Sequence, residues 1–256
     1  MCYLSTLNEL EGNLLVNKII EILNENIHRL GFELKDEQII AFDNYTQLLK
    51  AWNEKMNLTS MESDIEIAIK HFYDSLTLIP IIEDIGIKPI SIMDVGTGAG
   101  FPGIPLAVIK PEMSVRLLET VKKRILFLDT VIESLKLEQV KAIWSRVEDI
   151  GQSSEYRNGF TVVTARAVAP LNILVEYCLP LTAINGYCIL MKGSNFEKEL
   201  KEARDAIDIL GGQFSRCINS FLPLNQGNRN IVIIKKIKET PMKYPRKAGI
   251  PKKRPL

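Results

Sequence analysis

Apolar residues recur at helical spacing through the first third of the chain. The three stretches that show this spacing are residues 12–30, 35–54 and 63–76. The first stretch stops at Gly31, a typical helix end, and the third begins with Ser63 and Glu66 at the spacing of a capping box. The pattern predicts a helical lead-in over residues 1–80.

Short β-type runs alternate with helical stretches in the middle of the chain. The β-type runs are residues 90–95, 114–118, 140–144, 160–164 and 187–191. The helical stretches that separate or follow them are residues 121–135, 171–181 and 196–210. This alternation predicts a parallel sheet with helices packed on its faces.

Two further β-type runs, residues 214–221 and 230–237, end the pattern. A turn-rich segment joins them, which predicts a hairpin at one edge of the sheet. The whole pattern predicts an α/β protein with a doubly wound, Rossmann-like, mostly parallel sheet of about seven strands. We expect three parts: a lead-in of residues 1–80, a core of residues 81–240 and a basic tail of residues 241–256.

A glycine-rich segment follows the first β-type run. Its sequence is Asp94-Val95-Gly96-Thr97-Gly98-Ala99-Gly100-Phe101-Pro102-Gly103. Glycines allow a sharp turn and let a ligand approach without a Cβ in the way, so this corner indicates a nucleotide-type cofactor site. Gly98 to Gly103 also fit the dinucleotide pattern, with Glu119 at the distance expected of a ribose-binding acid.

Two cofactor classes, dinucleotides and S-adenosylmethionine, use such a corner, and Asp94 distinguishes them. It lies at the carboxyl end of the strand, where a carboxylate would repel a pyrophosphate and attract an amino group or a sulfonium. S-adenosylmethionine carries both of these cations and no phosphate. The pattern therefore favours S-adenosylmethionine, while capping of the following helix is the alternative role for Asp94.

Composition and charge narrow the remaining choices. The 256 residues are 46% hydrophobic, which suffices for a full α/β core, and the net charge is +1. Residues 235–256 are strongly basic, with nine Lys and Arg against one acid, Glu239. The cysteines and histidines show no metal-site spacing, so we expect no metal. Neither a signal peptide nor a membrane-spanning run occurs, so we expect a cytoplasmic protein without a membrane partner.

Several motifs in one order resemble the GidB family, also called RsmG or glucose-inhibited division protein B. They are Asp94 to Pro105, Ser145-Arg146-Val147-Glu148, Thr164-Ala165-Arg166-Ala167-Val168-Ala169, Lys243 to Pro251, and, in the lead-in, Trp52-Asn53, Asn57-Leu58-Thr59 and His71-x-x-Asp74-Ser75-Leu76. The resemblance implies a class I methyltransferase fold that uses S-adenosylmethionine to methylate N7 of one guanine in bacterial 16S ribosomal RNA. It implies 16S RNA or a small-subunit ribonucleoprotein as the partner, and we expect a monomer.

The candidate cofactor-binding residues lie in the glycine corner and at strand ends. They are Asp94, Gly96, Gly98, Phe101, Glu119, Val147, Glu148 and Arg166. Glu119 ends a strand where a carboxylate can accept from both ribose hydroxyls, and the resemblance places Val147 and Glu148 against the adenine. Arg166 could orient the methionine carboxylate or a phosphate, or be an ordinary edge arginine, and Phe101 could be a packing residue.

The candidate RNA-binding residues are His71, Asp74, Lys192, Lys243, Arg246 and Lys247. The basic tail can neutralise phosphates and Tyr244 can stack a base, although such tails are often only solvated. His71 and Asp74 have the spacing of a general-base pair. Guanine N7 already presents an unprotonated lone pair, so we expect no catalytic base and a role for this pair in structure or RNA placement.

The residues alone leave two other functions possible, an oxidoreductase and an RNA-binding module. A dinucleotide-dependent oxidoreductase would share the glycine corner, but no Tyr-x-x-x-Lys pair occurs in the chain. A non-catalytic RNA-binding module could retain the corner as a relic. For a methyltransferase, the target must lie in a loop or leave its stack, because N7 faces the deep major groove of an RNA helix.

Overall fold

A seven-stranded sheet forms the centre of the computed structural model, which describes residues 17–60, 63–193 and 196–256. Its strands are β1 Ser91–Val95, β2 Ser114–Glu119, β3 Val140–Trp144, β4 Phe160–Arg166, β5 Thr182–Lys192, β6 Gly212–Phe221 and β7 Asn228–Lys236. The order is β3-β2-β1-β4-β5-β7-β6, and of the strands in the described residues β7 alone runs antiparallel. The predicted doubly wound fold and its C-terminal hairpin are confirmed.

Helices cover both faces of the sheet. They are α1 Lys18–Ile27, α2 Asp36–Met56, α3 Asp64–Glu66, α4 Asp74–Leu76, α5 Leu78–Ile85, α6 Gly103–Ile109, α7 Lys122–Ser134, α8 Val147–Ile150, α9 Leu171–Cys178, α10 Phe196–Ile209 and α11 Ile250–Lys253. Within the described residues, none of them has the length and apolar character needed to cross a membrane.

Side-chain caps mark the starts of two lead-in helices, and the cap at Ser63 is the one that the sequence predicts. The Asn17 side chain caps α1, and Ser63 Oγ accepts from the Glu66 N–H at 3.3 Å at the start of α3. The part of the first predicted helix before residue 17 lies outside the described residues. The third predicted helix is not uniform, because the π-helical segment Ile67–Tyr73 joins α3 to α4. Such π segments occur often at functional sites, and this one carries His71.

The core consists of two hydrophobic clusters, one on each face of the sheet. Successive residues of a strand point to opposite faces, and accordingly Ile92 of β1 belongs to the first cluster and Met93 to the second. The first cluster also contains the lead-in helices, so the lead-in covers one face of the sheet and shares its core. Helix α5 crosses residue 80, and the division at residues 80 and 240 stays a prediction.

Residues 240–256, which we call the C-terminal strap, pack against the second face. Arg157 donates to the carbonyls of Thr240 at 2.6 Å and Tyr244 at 2.7 Å, and Gln152 donates to the carbonyl of Pro245 at 2.8 Å. The Tyr244 side chain is buried. The basic tail is therefore a folded strap whose backbone is fixed, although most of its lysines point outward.

Candidate cofactor and RNA site

The glycine corner forms the tight turn that the sequence predicts. Gly96 follows β1 with a φ of 68° and Gly98 has a φ of 63°, both in the left-handed region that favours glycine. The N–H groups of Gly96 and Thr97 donate to the Leu118 carbonyl at 2.9 and 3.1 Å, which ties the turn to β2. A Cβ on Gly96 would lie 2.8 Å from Val168 Cγ2. The corner therefore keeps open a space that a larger residue would fill.

Asp94 lies beneath this corner and is fully buried. Its Oδ2 accepts from the Thr97 hydroxyl at 2.6 Å and from the Gly103 N–H at 2.9 Å. Burial raises the pKa of Asp94 to about 6, while the hydrogen bonds from Thr97 and Gly103 lower it. These are the contacts of the helix-capping alternative, because the carboxylate closes the start of α6. Its Oδ1 is buried without a hydrogen-bond partner among the described residues, and the contact of Asp94 with the cofactor stays a prediction.

Two cavities meet at Gly96, which lines both of them. The larger, the Arg166 cavity, has a volume of about 420 Å³, and its walls include His71, Asp74, Phe101, Arg166, Lys192 and Arg229. The smaller, the Glu119 cavity, has a volume of about 200 Å³, and its walls include Glu119, Val147, Glu148, Val168 and Tyr177. The two cavities therefore lie on either side of the glycine corner.

Glu119 forms one wall of the Glu119 cavity at the end of β2. Its Oε1 accepts from the backbone N–H groups of Thr120 at 2.7 Å and Val121 at 2.9 Å, and its Oε2 accepts from the Gly98 N–H at 3.2 Å. Arg124 Nη1 lies 3.3 Å from the same Oε2. The carboxylate is thus held in place beside the glycine corner by three backbone N–H groups and Arg124.

Glu148 forms a second acidic wall, and the strap reaches it. Glu148 Oε1 accepts from the Gly249 N–H at 3.1 Å. Burial, and then the neighbouring Glu148, raise the pKa of Tyr177 to about 12. Val147 is buried on the same side. Apolar walls with a carboxylate at each end suit a purine nucleoside, whose amino group and ribose hydroxyls are hydrogen-bond donors.

Phe101 connects the glycine corner to the lead-in. Its ring stacks on His71 with centroids 4.4 Å apart and on Tyr45 with centroids 5.3 Å apart. The Arg166 guanidinium carbon lies 5.2 Å from the same ring centroid, within cation–π range. Phe101 is buried and also lines the Arg166 cavity. The packing role of Phe101 is therefore observed, and its contact with the cofactor stays a prediction.

A charged cluster centred on Asp74 forms one side of the Arg166 cavity. Asp74 is fully buried, and its Oδ2 accepts from Arg229 Nε at 3.1 Å and from Arg166 Nη1 at 3.3 Å. Arg166 Nη1 also donates to the Lys70 carbonyl at 2.8 Å. Asp74 Oδ1 is buried without a hydrogen-bond partner among the described residues. The cluster fixes two guanidinium groups at the cavity wall.

His71 is neutral in this arrangement. Arg166 Nη2 lies 3.1 Å from His71 Nδ1 and, having only protons to offer, makes Nδ1 the acceptor. The ring proton is then on Nε2, which lies 2.8 Å from Thr59 Oγ1. Burial first, and then Arg166, lower the pKa of His71 to about 3. With both ring nitrogens engaged, His71 positions its neighbours and is a poor general base.

The predicted RNA-binding cations divide into engaged and exposed groups. Lys192 pairs with Glu199 at 2.7 Å and donates to the Ala169 carbonyl at 2.8 Å, although it lines the Arg166 cavity. Arg246 pairs with the fully buried Glu176. These contacts favour structural roles for Lys192 and Arg246.

The exposed group includes Lys243 and Lys247 on the strap, and Lys243 Nζ lies 5.2 Å from the Tyr244 ring centroid. Their exposure keeps these two lysines as RNA candidates.

Within the ranges that the structure describes, no cluster of three His, Cys, Asp or Glu residues is placed to hold a metal ion.

Sequence reasoning missed Arg229, Lys70 and Tyr45. Arg229 shares Asp74 with Arg166, Lys70 lines the same cavity, and the Tyr45 hydroxyl donates to the Ala99 carbonyl inside the glycine corner. The short Asn228-Arg229-Asn230 segment has no spacing signal of its own. Tyr45 sits on the apolar face of a predicted helix, where the pattern indicates only packing.

Comparison with known proteins agrees with this geometry. The sequence profile of the GidB family, described as rRNA small subunit methyltransferase G, matches residues 38–232. The ribosomal RNA small subunit methyltransferase G of Acetivibrio thermocellus is 45% identical over 93% of this chain and 97% of its own length. That of Desulforamulus reducens is 44% identical over 94% of this chain and 100% of its own length.

A solved structure supports the fold independently of sequence. An O-methyltransferase from Bacillus cereus, in complex with SAH, superposes with a TM-score of 0.58 at 15% identity, covering 86% of this chain and 100% of that chain. Its likeness confirms the predicted methyltransferase fold class. The family profile and the curated relatives confirm the predicted family, so this chain belongs to the GidB family of small-subunit ribosomal RNA methyltransferases.

Proposed function

We propose that this protein transfers a methyl group from S-adenosylmethionine to N7 of one guanine in 16S ribosomal RNA. The observation that carries the proposal is the pair of cavities that meet at Gly96, with an acidic nucleoside-sized side and an arginine-lined side. The names of the relatives supply the substrate class, small-subunit ribosomal RNA. Guanine and its N7 come from the family resemblance.

The glycine corner fits S-adenosylmethionine better than a dinucleotide. A dinucleotide places its pyrophosphate on the N–H groups that begin the helix after the first strand. Here the Gly103 N–H at the start of α6 already donates to the Asp94 carboxylate at 2.9 Å. Glu119 at the next strand end suits the ribose of either cofactor class and does not distinguish them. A cofactor without phosphate avoids the conflict at Gly103.

Each candidate residue then has a definite task. We assign Glu119 to the ribose hydroxyls, Val147 and Glu148 to the adenine, and the backbone at Gly96 and Gly98 to the centre of the cofactor. Arg166, held by Asp74 and stacked over Phe101, is placed to bind the methionine carboxylate. Asp94 supports the corner from below through Thr97 and Gly103.

The reaction needs alignment and no proton transfer. When bound, S-adenosylmethionine supplies a methyl group on a positively charged sulfur, whose bonding electron pair stays on sulfur as the N7 lone pair forms the new bond. The positive charge passes to the guanine. His71 keeps a neutral ring because its pKa is about 3, so it fixes Phe101 and Arg166 without exchanging a proton. The chain therefore acts through placement of the reacting atoms.

The RNA is expected to approach the carboxyl edge of the sheet, where both cavities open. We assign Lys243 and Lys247 to phosphate contacts, since both are exposed, and His71 and Asp74 to the wall that receives the base. We further infer that the protein is cytoplasmic, because ribosomal RNA is found in that compartment. We also infer that it is a monomer. Light scattering after size-exclusion chromatography tests the monomer.

Two binding experiments test the cofactor. Titration calorimetry should show binding of S-adenosylmethionine and none of NAD(H). Gly96→Val should abolish that binding, because its Cβ would meet Val168 and enter the space between the cavities. Since a positive φ strains any side chain at Gly96, Glu119→Gln is the second variant and should weaken binding with an unchanged circular dichroism spectrum.

The substrate is tested by methyl transfer from labelled S-adenosylmethionine. Deproteinised 16S RNA and intact small subunits serve as substrates, and 23S RNA serves as the control. Label confined to one guanine of 16S RNA is the expected result. Cofactor binding without turnover on either substrate would leave only a binding module and would contradict the proposal.

A further inference from the structure

Trp144 is an exposed aromatic residue at the edge of the site that the function described above does not use. It ends β3, the outermost strand on one side of the sheet, and 60% of it is exposed. Tryptophan is usually buried for most of its surface, so this exposure of a large ring is unusual. The residue lies at the carboxyl edge of the sheet, the same edge as the glycine corner.

The indole ring is held in place although it is exposed. Its Nε1–H donates to the Thr120 carbonyl at 2.9 Å, and Lys122 Nζ lies 5.4 Å from the ring centroid. A fixed, exposed ring loses little conformational freedom when a second flat group stacks on it. The arrangement is that of a preformed stacking surface.

The ring is also close to the proposed cofactor site. In the parallel pairing of β2 and β3, Trp144 is directly opposite Glu119, whose Oε2 accepts from the Gly98 N–H. Neighbouring strands are about 4.8 Å apart, so Trp144 lies one strand spacing beyond the residue that we assign to the ribose. Trp144 does not line either cavity, which separates it from the cofactor itself.

Exposed basic residues follow both strand ends at this corner: Lys122 and Lys123 begin α7, and Arg146 is two residues after Trp144. Lys122, Lys123 and Arg146 are exposed, and none of them takes part in an ion pair within the described part of the chain. Unpaired cations around a fixed aromatic ring are the arrangement that binds single-stranded RNA, because bases stack on the ring while the cations meet phosphates.

We propose that Trp144, with Lys122, Lys123 and Arg146, binds an unpaired nucleotide that flanks the target guanine in the RNA substrate. The proposal rests on the proposed function, because it takes its RNA from that site. The base stacks on the indole ring, and the cations hold its phosphates. This contact fixes the RNA strand at the carboxyl edge while the guanine enters the Arg166 cavity.

RNA affinity tests the stacking. Trp144→Ala should weaken binding of deproteinised 16S RNA by about tenfold, within the range known for one stacked base. Trp144→Phe should recover most of the lost affinity, because it keeps an aromatic face for stacking. The recovery should be incomplete, because Phe cannot make the hydrogen bond to Thr120. The control is Ile40→Ala, since Ile40 is similarly exposed but lies on α2, near the opposite end of the sheet. It should leave the RNA affinity unchanged.

Salt dependence separates stacking from phosphate contact. Trp144→Ala should leave the slope of log affinity against log salt unchanged, whereas Lys122→Gln should lower it by about 0.7. The affinity for S-adenosylmethionine and the single-turnover rate at saturating RNA should not change in Trp144→Ala. A fall in cofactor affinity would instead make Trp144 part of the cofactor pocket and would overturn the proposal.

Fluorescence gives a direct readout. The chain has two tryptophans, so in a Trp52→Phe variant the emission comes from Trp144 alone. Deproteinised 16S RNA should quench it. No quenching together with full RNA affinity in Trp144→Ala would overturn the proposal while leaving the function intact. An effect only with intact subunits would assign the surface to a ribosomal protein. Failure of the unaltered protein to bind or methylate RNA would instead contradict the proposed function.

Discussion

Asp74 and Glu176 are both fully buried carboxylates that hold arginines, but their surroundings differ. Both oxygens of Glu176 are occupied by Arg246, through its backbone N–H at 2.9 Å, Nε at 2.9 Å and Nη2 at 2.5 Å. Asp74 uses only Oδ2, which Arg166 and Arg229 share, and Oδ1 has no hydrogen-bond partner in the described residues. The Glu176 pair is closed, whereas the Asp74 cluster opens on the Arg166 cavity.

The difference separates an arginine that holds the fold from two arginines that line a cavity. Arg246 directs its guanidinium and its backbone at one carboxylate, which fastens the strap to α9. Arg166 and Arg229 each contact Asp74 at one position and keep further N–H groups at the cavity wall. A basic residue in a family motif, such as Arg246, therefore need not bind RNA.

The largest effect is expected at Arg246. Arg246→Ala removes the guanidinium and leaves the buried Glu176 carboxylate with only the backbone N–H of residue 246, so the free energy of unfolding should fall by about 3–5 kcal/mol. Urea unfolding measures this loss. Lys243→Ala is the control and should change stability by less than about 0.5 kcal/mol, because Lys243 is exposed. A large loss of RNA affinity without loss of stability would instead make Arg246 an RNA contact.

A smaller effect is expected for Asp74→Asn, and it should appear in activity. Without the shared charge the two guanidinium groups shift in the cavity, and a misplacement of this kind costs about 100-fold in rate. Single-turnover methylation of 16S RNA measures it. The matched control is Asp64→Asn, because Asp64 forms an exposed ion pair with Lys50 near the same helical segment. Equal rates in the two variants would contradict a role for the Asp74 cluster.

His71 should reveal itself through the pH dependence of stability. Its pKa is about 3 in the folded protein and about 6.5 when unfolded, so between these values the unfolded state binds the extra proton. Its contribution is complete above pH 6.5 and is lost as the pH falls. The stability advantage of the unaltered protein over His71→Asn should shrink by about 2 kcal/mol from pH 7 to pH 5.

Asp94 contributes to the pH dependence of stability with the opposite sign, and comparing the unaltered protein with His71→Asn cancels this contribution. The raised pKa of Asp94 lets the folded state bind more protons between about pH 4 and 6, but both proteins share it. A gap between the unaltered protein and His71→Asn that does not change with pH would mean that His71 titrates normally in the fold. It would also remove the argument that His71 is neutral during the reaction.

The smallest effect is expected for the exposed lysines of the strap. Lys243→Gln with Lys247→Gln should lower the salt slope of RNA binding by about 1.4, or about 0.7 for each lost phosphate contact, with stability unchanged. Deleting the strap would not isolate these contacts, because Gly249 holds Glu148 and Arg246 holds Glu176. An unchanged slope would mean that the lysines are only solvated.

The parts of the molecule that the sequence predicts are those with a local pattern. The apolar run of β1 and the glycines that follow it predict strand and turn together, and the βαβ alternation predicts a parallel sheet but not the order of its strands. Strand β5 is longer than predicted, beginning at Thr182, because Asn185 with a positive φ and Gly186 interrupt the apolar run without ending the strand. Local composition identifies the corner but not the length of every strand.

The charged clusters lie outside the reach of local pattern. Asp74 and Arg229 are 155 residues apart in sequence, and Glu176 and Arg246 are 70 apart. Which carboxylate an arginine meets depends on tertiary packing, which no spacing rule contains. The same holds for Asp94, whose position at a strand end does not reveal that its Oδ2 accepts from Thr97 and Gly103. Only the fold shows these contacts.

Mapping of methylated nucleotides in ribosomal RNA by mass spectrometry tests the central claim most directly. RNA is compared from cells with this protein, without it, and without it but supplied with either the unaltered chain or Gly96→Val. The account predicts that one 7-methylguanosine in 16S RNA disappears with the protein and returns only with the unaltered chain. An identical methylation map in all four samples, or a lost methyl group on another atom or another RNA, would contradict it.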